Sequence, residues 1–185
     1  SGAIIRYTLD GSQPSVASPI LSPSLMLSET TVFRARSFSE TMLPSETITR
    51  TFVIGAASDL PIASLVTTPR NLWSETDGIY VNKSIATRKE WERHGTLELF
   101  NLDDRNDFSI PVDYRLFGRT AIYLPQKSFA IFPDKTLEYP LFPGSDVNTF
   151  GSFILRSGSD DWDNMMCSDP MQQLLMSRHM NIETQ

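Results

Sequence analysis

The chain has 185 residues, of which 40% are hydrophobic and 10% aromatic, and its formal net charge is −6. This is enough apolar material for one good core or two small ones. The acidic balance offers no basic face to a nucleic acid, no run of about 18 apolar residues spans a membrane, and a single cysteine, Cys167, excludes an internal disulfide.

The first 55 residues show the short strands and tight turns of an all-β module. Strands are predicted where β-branched and aromatic residues recur, at 4–9, 25–27, 31–38 and 47–54. Asp10-Gly11-Ser12 predicts a turn, because glycine adopts a positive φ at no steric cost. Asp10 is therefore interpreted as a turn residue and not as a chemical group. The spacing predicts a small antiparallel β-sandwich over 1–55, followed by a linker at 56–61.

Three motifs in this module carry a family resemblance. They are IRYTLDGSQP at 5–14, TTVFRAR at 30–36 and Leu43-Pro44-Ser45. Together they resemble the small β-sandwich module named after the C-terminal domain of chitobiase and β-hexosaminidase. That module begins about one strand earlier, so a truncated copy is expected. The resemblance implies a non-catalytic accessory module of secreted bacterial enzymes.

The remaining residues, 62–185, alternate between short strands and polar turns. Strands are predicted at 62–67, 79–81, 96–100, 108–112, 114–117, 128–132, 137–139 and 153–156. A helical turn is predicted near 68–73, and a helix from Asp169, which suits an N-cap before Pro170. The acidic run Asp160–Asp163 is interpreted as a solvated loop, with Ca²⁺ or Mg²⁺ binding as the alternative. Glu98 is interpreted as a satisfied or exposed carboxylate, with a catalytic role as the alternative.

Two cations bracket the connection before the strand at 128–132. Arg119 follows Gly118, and Lys127 enters the strand. Two cations beside a buried sheet can hold a phosphate or an acidic segment. The alternative is a solvated lysine that protects a sheet edge. No metal site is predicted, because His94 has no second His or Cys nearby in the sequence.

A second resemblance covers residues 60–175. It is carried by Leu60–Leu65, Asn71-Leu72 with Asp77–Tyr80, Trp91–Arg93 with Glu98–Phe100, Phe117–Arg119, Gln126–Phe129, Tyr139–Pro143 and Leu155-Arg156. In this order and spacing they resemble the spore-coat-protein-H-type (CotH) kinase family. That family comprises atypical bacterial protein kinases that are secreted or lie on the cell surface. The resemblance implies ATP and Mg²⁺ as cofactors, phosphorylation of Ser in a protein, and a phosphate-binding role for Lys127 and, less directly, Arg119.

The resulting prediction is a mainly β chain with few helices (α+β). A partial sandwich at 1–55 precedes the N-terminal lobe of an atypical kinase-like domain at 62–185. The family's Asn-Gly strand and catalytic carboxylates come later than Gln185, so the chain alone is expected to be inactive. Its expected partners are a protein substrate or neighbouring subunits of a larger assembly. The alternative function is a non-enzymatic surface or adhesion protein whose sandwich binds glycan or protein.

Overall fold

The structure is a computed structural model that describes residues 2–55, 61–100, 108–141 and 146–158. In these ranges the chain forms ten strands and one short α-helix. The described part is mainly β, its assigned strand pairs are antiparallel, and it is β-sandwich-like. The predicted fold class is confirmed at this level. The acidic run at 160–163 and the helix predicted from Asp169 lie outside the described residues.

The element bounds follow the predicted alternation at most positions. The strands are β1 (Ile4–Thr8), β2 (Thr31–Phe38), β3 (Ile48–Phe52), β4 (Ile62–Val66), β5 (Arg93–Phe100), β6 (Phe108–Phe117), β7 (Ser128–Pro133), β8 (Leu137–Glu138), β9 (Thr149–Phe150) and β10 (Phe153–Leu155). Helix α1 is Pro69–Trp73, and single 3₁₀ turns lie at Lys89–Trp91 and Ala121–Tyr123. The two strands predicted at 108–112 and 114–117 are one continuous strand, β6.

Three sheets contain these strands. Their orders are β1-β2-β3, β10-β7-β6-β5-β4 and β8-β9. The chain divides into two compact units, and β6 runs through both. Unit 1 consists of residues 1–81 and 93–113, and unit 2 consists of residues 82–92 and 114–185.

Along β3, the three-stranded sheet of unit 1 has one buried and one exposed face. Thr49 and Thr51 are buried, whereas Ile48 is 70% exposed and Phe52 is 44% exposed. The turn predicted after β1 is confirmed. Gly11 has a φ of +76°, and Asp10 Oδ1 accepts a hydrogen bond from the Ser12 N–H at 2.9 Å.

Two of the predicted strands are wrong. The segment 79–81 forms turns, because Ile79 N donates to Asn71 O at 2.9 Å and Tyr80 N to Leu72 O at 3.0 Å. This backbone closes onto α1 and not onto a neighbouring strand. Close approach explains Gly78, since a Cβ there would lie 2.4 Å from the Ser74 nitrogen. Residues 25–27 also form no strand, and Met26 is 96% exposed, so there is no buried face to fix one.

The core of unit 2 forms around the C-terminal half of β6. Tyr114 and Leu116 are fully buried, while Phe117 is 40% exposed, as the predicted two-residue alternation requires. The Tyr114 ring meets the Phe129 ring edge-on, with centroids 5.9 Å apart. Ile131 on β7 is also fully buried. This packing fixes the start of β7, which is where Lys127 lies.

Candidate functional site

Lys127 is held at the entrance of β7. Its ammonium donates a hydrogen bond to the carbonyl oxygen of Leu124, and the residue is half-buried. Burial lowers the pKa of Lys127 below its ordinary value of 10.5, and the positive charge of Lys83 lowers it further. The side chain is therefore a partly desolvated cation with a like charge as a neighbour.

Lys83 is a residue that the sequence reasoning missed. It lies in the turns at 82–88, where a lysine gives no pattern that distinguishes it from an ordinary solvated charge. In the structure its Nζ lies 5.8 Å from the centroid of the Tyr123 ring, within the range of a cation–π contact. Tyr123 directly precedes Leu124, which accepts the bond from Lys127. Both ammonium groups therefore contact the same short turn.

The segment that carries Lys83 is anchored inside unit 2. Leu116 N donates to Ala86 O at 3.1 Å, and Ala86 is fully buried. Farther along this segment, Glu92 Oε1 accepts from Arg115 Nη1 at 2.6 Å. The Arg115 guanidinium also lies 4.8 Å from the centroid of the Phe132 ring. These contacts hold residues 82–92 against β6 and β7, so the position of Lys83 is defined by packing.

A second set of bonds fixes the backbone at Lys127. Ser157 N donates to Ser128 Oγ at 3.1 Å, and the two hydroxyl oxygens are 3.2 Å apart. Ser128 is buried at the first position of β7, and Ser157 follows β10, which pairs with β7. These bonds connect the start of β7, directly next to Lys127, to Ser157 after β10.

Arg119 occupies a different setting from Lys127. It is exposed and follows Gly118, whose φ of +115° favours glycine and marks the predicted bend. Among the described residues no carboxylate forms an ion pair with Arg119. Its proposed contact with a cofactor stays a prediction, as does that of Lys127.

Glu98 in unit 1 is a buried and satisfied carboxylate. It has no exposed surface, accepts from Thr51 N at 2.6 Å and lies 3.3 Å from Arg50 Nη1. Beside it, the hydroxyls of Thr51 and Ser64 are 2.8 Å apart. These bonds join the edge of β3 to β5 and β4. The interpretation of Glu98 as a satisfied carboxylate is confirmed.

His94 is a surface residue of unit 1. Its Nδ1 lies 3.1 Å from Asp113 Oδ1, and both side chains are largely exposed to solvent. An exposed pair of this kind contributes little to stability.

Comparison with known proteins finds a family-model match over the N-terminal part of the chain. Residues 1–52 match the family model described as "Fn3 associated". This range covers most of the module predicted over 1–55, and the resemblance of its motifs to the chitobiase-type module stays a prediction. Neither the curated proteins nor the solved structures give a significant match. In the described part of the chain, every helix is too short or too polar to cross a bilayer.

Proposed function

We propose that this chain is part of a secreted or cell-surface CotH-type protein kinase, which transfers the γ-phosphoryl group of ATP to Ser of a protein. The observation that carries the proposal is Lys127, a partly desolvated ammonium fixed at the entrance of β7. Phosphoryl transfer depends on positioning and electrostatic stabilisation, for which such a cation is suited. The motif resemblance over residues 60–175 supplies the reaction class.

The described residues of unit 2 are better suited to contact the phosphates of ATP than to coordinate Mg²⁺. An ammonium is a compact point charge that suits phosphate oxygens, and Lys127 supplies one at a defined position. Mg²⁺ requires oxygen ligands, usually one or two carboxylates with phosphates and waters. Within the described residues of unit 2, Glu92 is engaged by Arg115, and no group of three metal-ligating side chains lies together. No step is therefore assigned to a metal here.

The roles that follow for the side chains are limited and specific. Lys127 would contact the phosphates and hold them against the strand entrance. Arg119, exposed after the Gly118 bend, would add a second charge from the surface. The serine bonds between β7 and β10 would keep the Lys127 backbone in place.

Equilibrium binding of ATP tests this proposal. Lys127→Met keeps the length and apolar stem but removes the charge, and we expect about tenfold or greater loss of affinity. Lys135→Met is the matched control, because Lys135 is an exposed lysine of the same unit. Unchanged affinity in Lys127→Met would overturn the assignment. The reaction itself is tested by transfer of labelled γ-phosphate to Ser in the native polypeptide that contains this chain.

A row of aromatic rings favours a second candidate function, glycan binding by a surface protein. On the β1-β2-β3 sheet, Tyr7 stacks on Phe33 with centroids 5.8 Å apart, and Phe33 lies 6.3 Å from Phe52. Phe52 is 44% exposed. Retardation of the chain in gels containing soluble polysaccharides tests this function. Phe52→Ala should abolish the retardation, whereas Phe117→Ala, at a similarly exposed position of unit 2, should not.

A further inference from the structure

Lys83 and Lys127 reach the same place from different parts of the sequence. Lys83 lies in the turns at 82–88 and Lys127 precedes β7, yet their ammonium groups contact the neighbouring residues Tyr123 and Leu124. One ammonium group therefore contacts the last residue of the 3₁₀ turn Ala121–Tyr123, and the other contacts the residue after it. Both segments are fixed by hydrogen bonds within unit 2, so this arrangement is part of the fold.

Two ammonium groups at one turn lower the stability of the fold unless a bound anion offsets their repulsion. Like charges repel, and the effect is stronger where the groups are partly desolvated. Lys83 forms no ion pair among the described residues, and it contacts the face of the neutral Tyr123 ring. The chain as a whole carries a net charge of −6. Two cations therefore lie at one turn of a chain that is acidic as a whole.

We propose that Lys83 and Lys127 together form one binding site for a phosphoanhydride, the linked phosphates of a nucleoside triphosphate or of inorganic pyrophosphate. Two ammonium groups on separate segments can contact separate phosphates of one chain. A single carboxylate or orthophosphate lacks the second charged group. The inference rests on the proposed function, because Lys127 is the phosphate contact in both, but it adds Lys83, which the CotH resemblance does not assign.

Binding of inorganic pyrophosphate, measured by titration calorimetry, tests the site without the nucleoside. We expect Lys83→Gln and Lys127→Gln each to weaken binding by about tenfold. Lys83→Arg keeps the charge and should bind within about threefold of the wild type. Lys89→Gln is the matched control, because Lys89 is an exposed lysine of the same 82–92 segment. Thermal unfolding of each variant checks that the fold is kept.

The outcomes separate the two proposals. Loss of pyrophosphate binding in both variants with retention in Lys83→Arg supports the two-lysine site. Normal binding in Lys83→Gln but not in Lys127→Gln overturns the inference and leaves the kinase proposal standing. Absence of any pyrophosphate binding by the wild type overturns the inference directly. If pyrophosphate binds through both lysines but ATP does not bind, the site stands and the kinase proposal fails.

Discussion

The two units place partly or fully buried charges in opposite surroundings. In unit 1 the Glu98 carboxylate is fully buried between a backbone donor at 2.6 Å and a guanidinium at 3.3 Å. In unit 2 the half-buried Lys127 ammonium has another ammonium, that of Lys83, among its charged neighbours. The Glu98 carboxylate thus has a charge of opposite sign beside it, and the Lys127 ammonium has a charge of the same sign near it.

This difference distinguishes a structural charge from a candidate binding charge. A buried carboxylate with donors on both oxygens joins its own strand, here β5, to the strand that supplies those donors, here β3. Two neighbouring ammonium groups do not hold strands together, because they repel each other. Their proximity becomes favourable when an anion binds to both. Glu98 should therefore matter for stability, and the lysine pair for binding.

Removal of Glu98 gives the largest expected effect. Glu98→Ala leaves the buried Thr51 N–H without its acceptor and Arg50 without its partner. We expect the free energy of unfolding to fall by about 3 kcal/mol, since losing one member of a buried charged network leaves the others unsatisfied. Arg50 is half-exposed and can turn to water, which keeps the loss at the lower end. Urea denaturation followed by circular dichroism measures it.

Glu98→Gln is the matched control for that experiment. The amide oxygen can still accept from Thr51 N, and the side chain keeps its volume, so only the ionic part is lost. We expect a smaller decrease of about 1 kcal/mol. If Glu98→Ala lowers the free energy of unfolding by less than about 0.5 kcal/mol, the carboxylate does not hold β3 to β5. Glu98 would then not differ from Lys127 as a charge that stabilises the fold.

Lys127, unlike Glu98, is expected to lower the stability of the fold while it is charged, so its effect should depend on pH. Its pKa in the folded state is lowered by burial and by Lys83, so between that value and 10.5 the unfolded chain binds more protons. Stability of the wild type should then rise with pH through this window, relative to Lys127→Met. Unfolding curves of both proteins from neutral pH upward test this.

Lys83→Gln sharpens the same test. Removing the neighbouring charge should raise the pKa of Lys127 and narrow the window. Nuclear magnetic resonance of the labelled lysine side chains reads this pKa directly. No shift in Lys83→Gln would mean that the two ammonium groups do not interact, and the two-lysine site would lose its electrostatic basis.

Local pattern was sufficient to predict most of the strands. Residues 31–38 alternate in hydrophobicity, and the strand formed covers the same residues. Asp10-Gly11 specified its turn, because few residues other than glycine accept a φ of +76°. The turn is determined by residues that are neighbours in the sequence, and the strand by the alternation of residues along one segment.

Contacts between distant residues were not accessible in the same way. Residues 79–81 have strand-forming side chains, but their backbone bonds go to Asn71 and Leu72 of α1. Lys83 and Lys127 are 44 positions apart, and a lysine in a polar turn carries no signal of what it faces. Lys127 was identified only through a strand entrance and a motif resemblance. The second cation required the path of the chain through residues 82–92.

Asp10 provides the smallest expected effect and tests whether burial sets the magnitude. Like Glu98 it is satisfied, since Oδ1 accepts from Ser12 N at 2.9 Å and Ser12 Oγ at 2.5 Å, but it is exposed. These bonds lower the pKa of Asp10 below 3.8, so its contribution is present above that pH and is lost as the pH falls through the folded value. We expect Asp10→Ala to cost about 0.5 kcal/mol near neutral pH and nothing in strong acid, and Asp10→Asn to cost less. Urea denaturation at the two pH values measures this. A cost equal to that of Glu98→Ala would mean that the number of hydrogen bonds, and not burial, determines how strongly a satisfied carboxylate stabilises this fold.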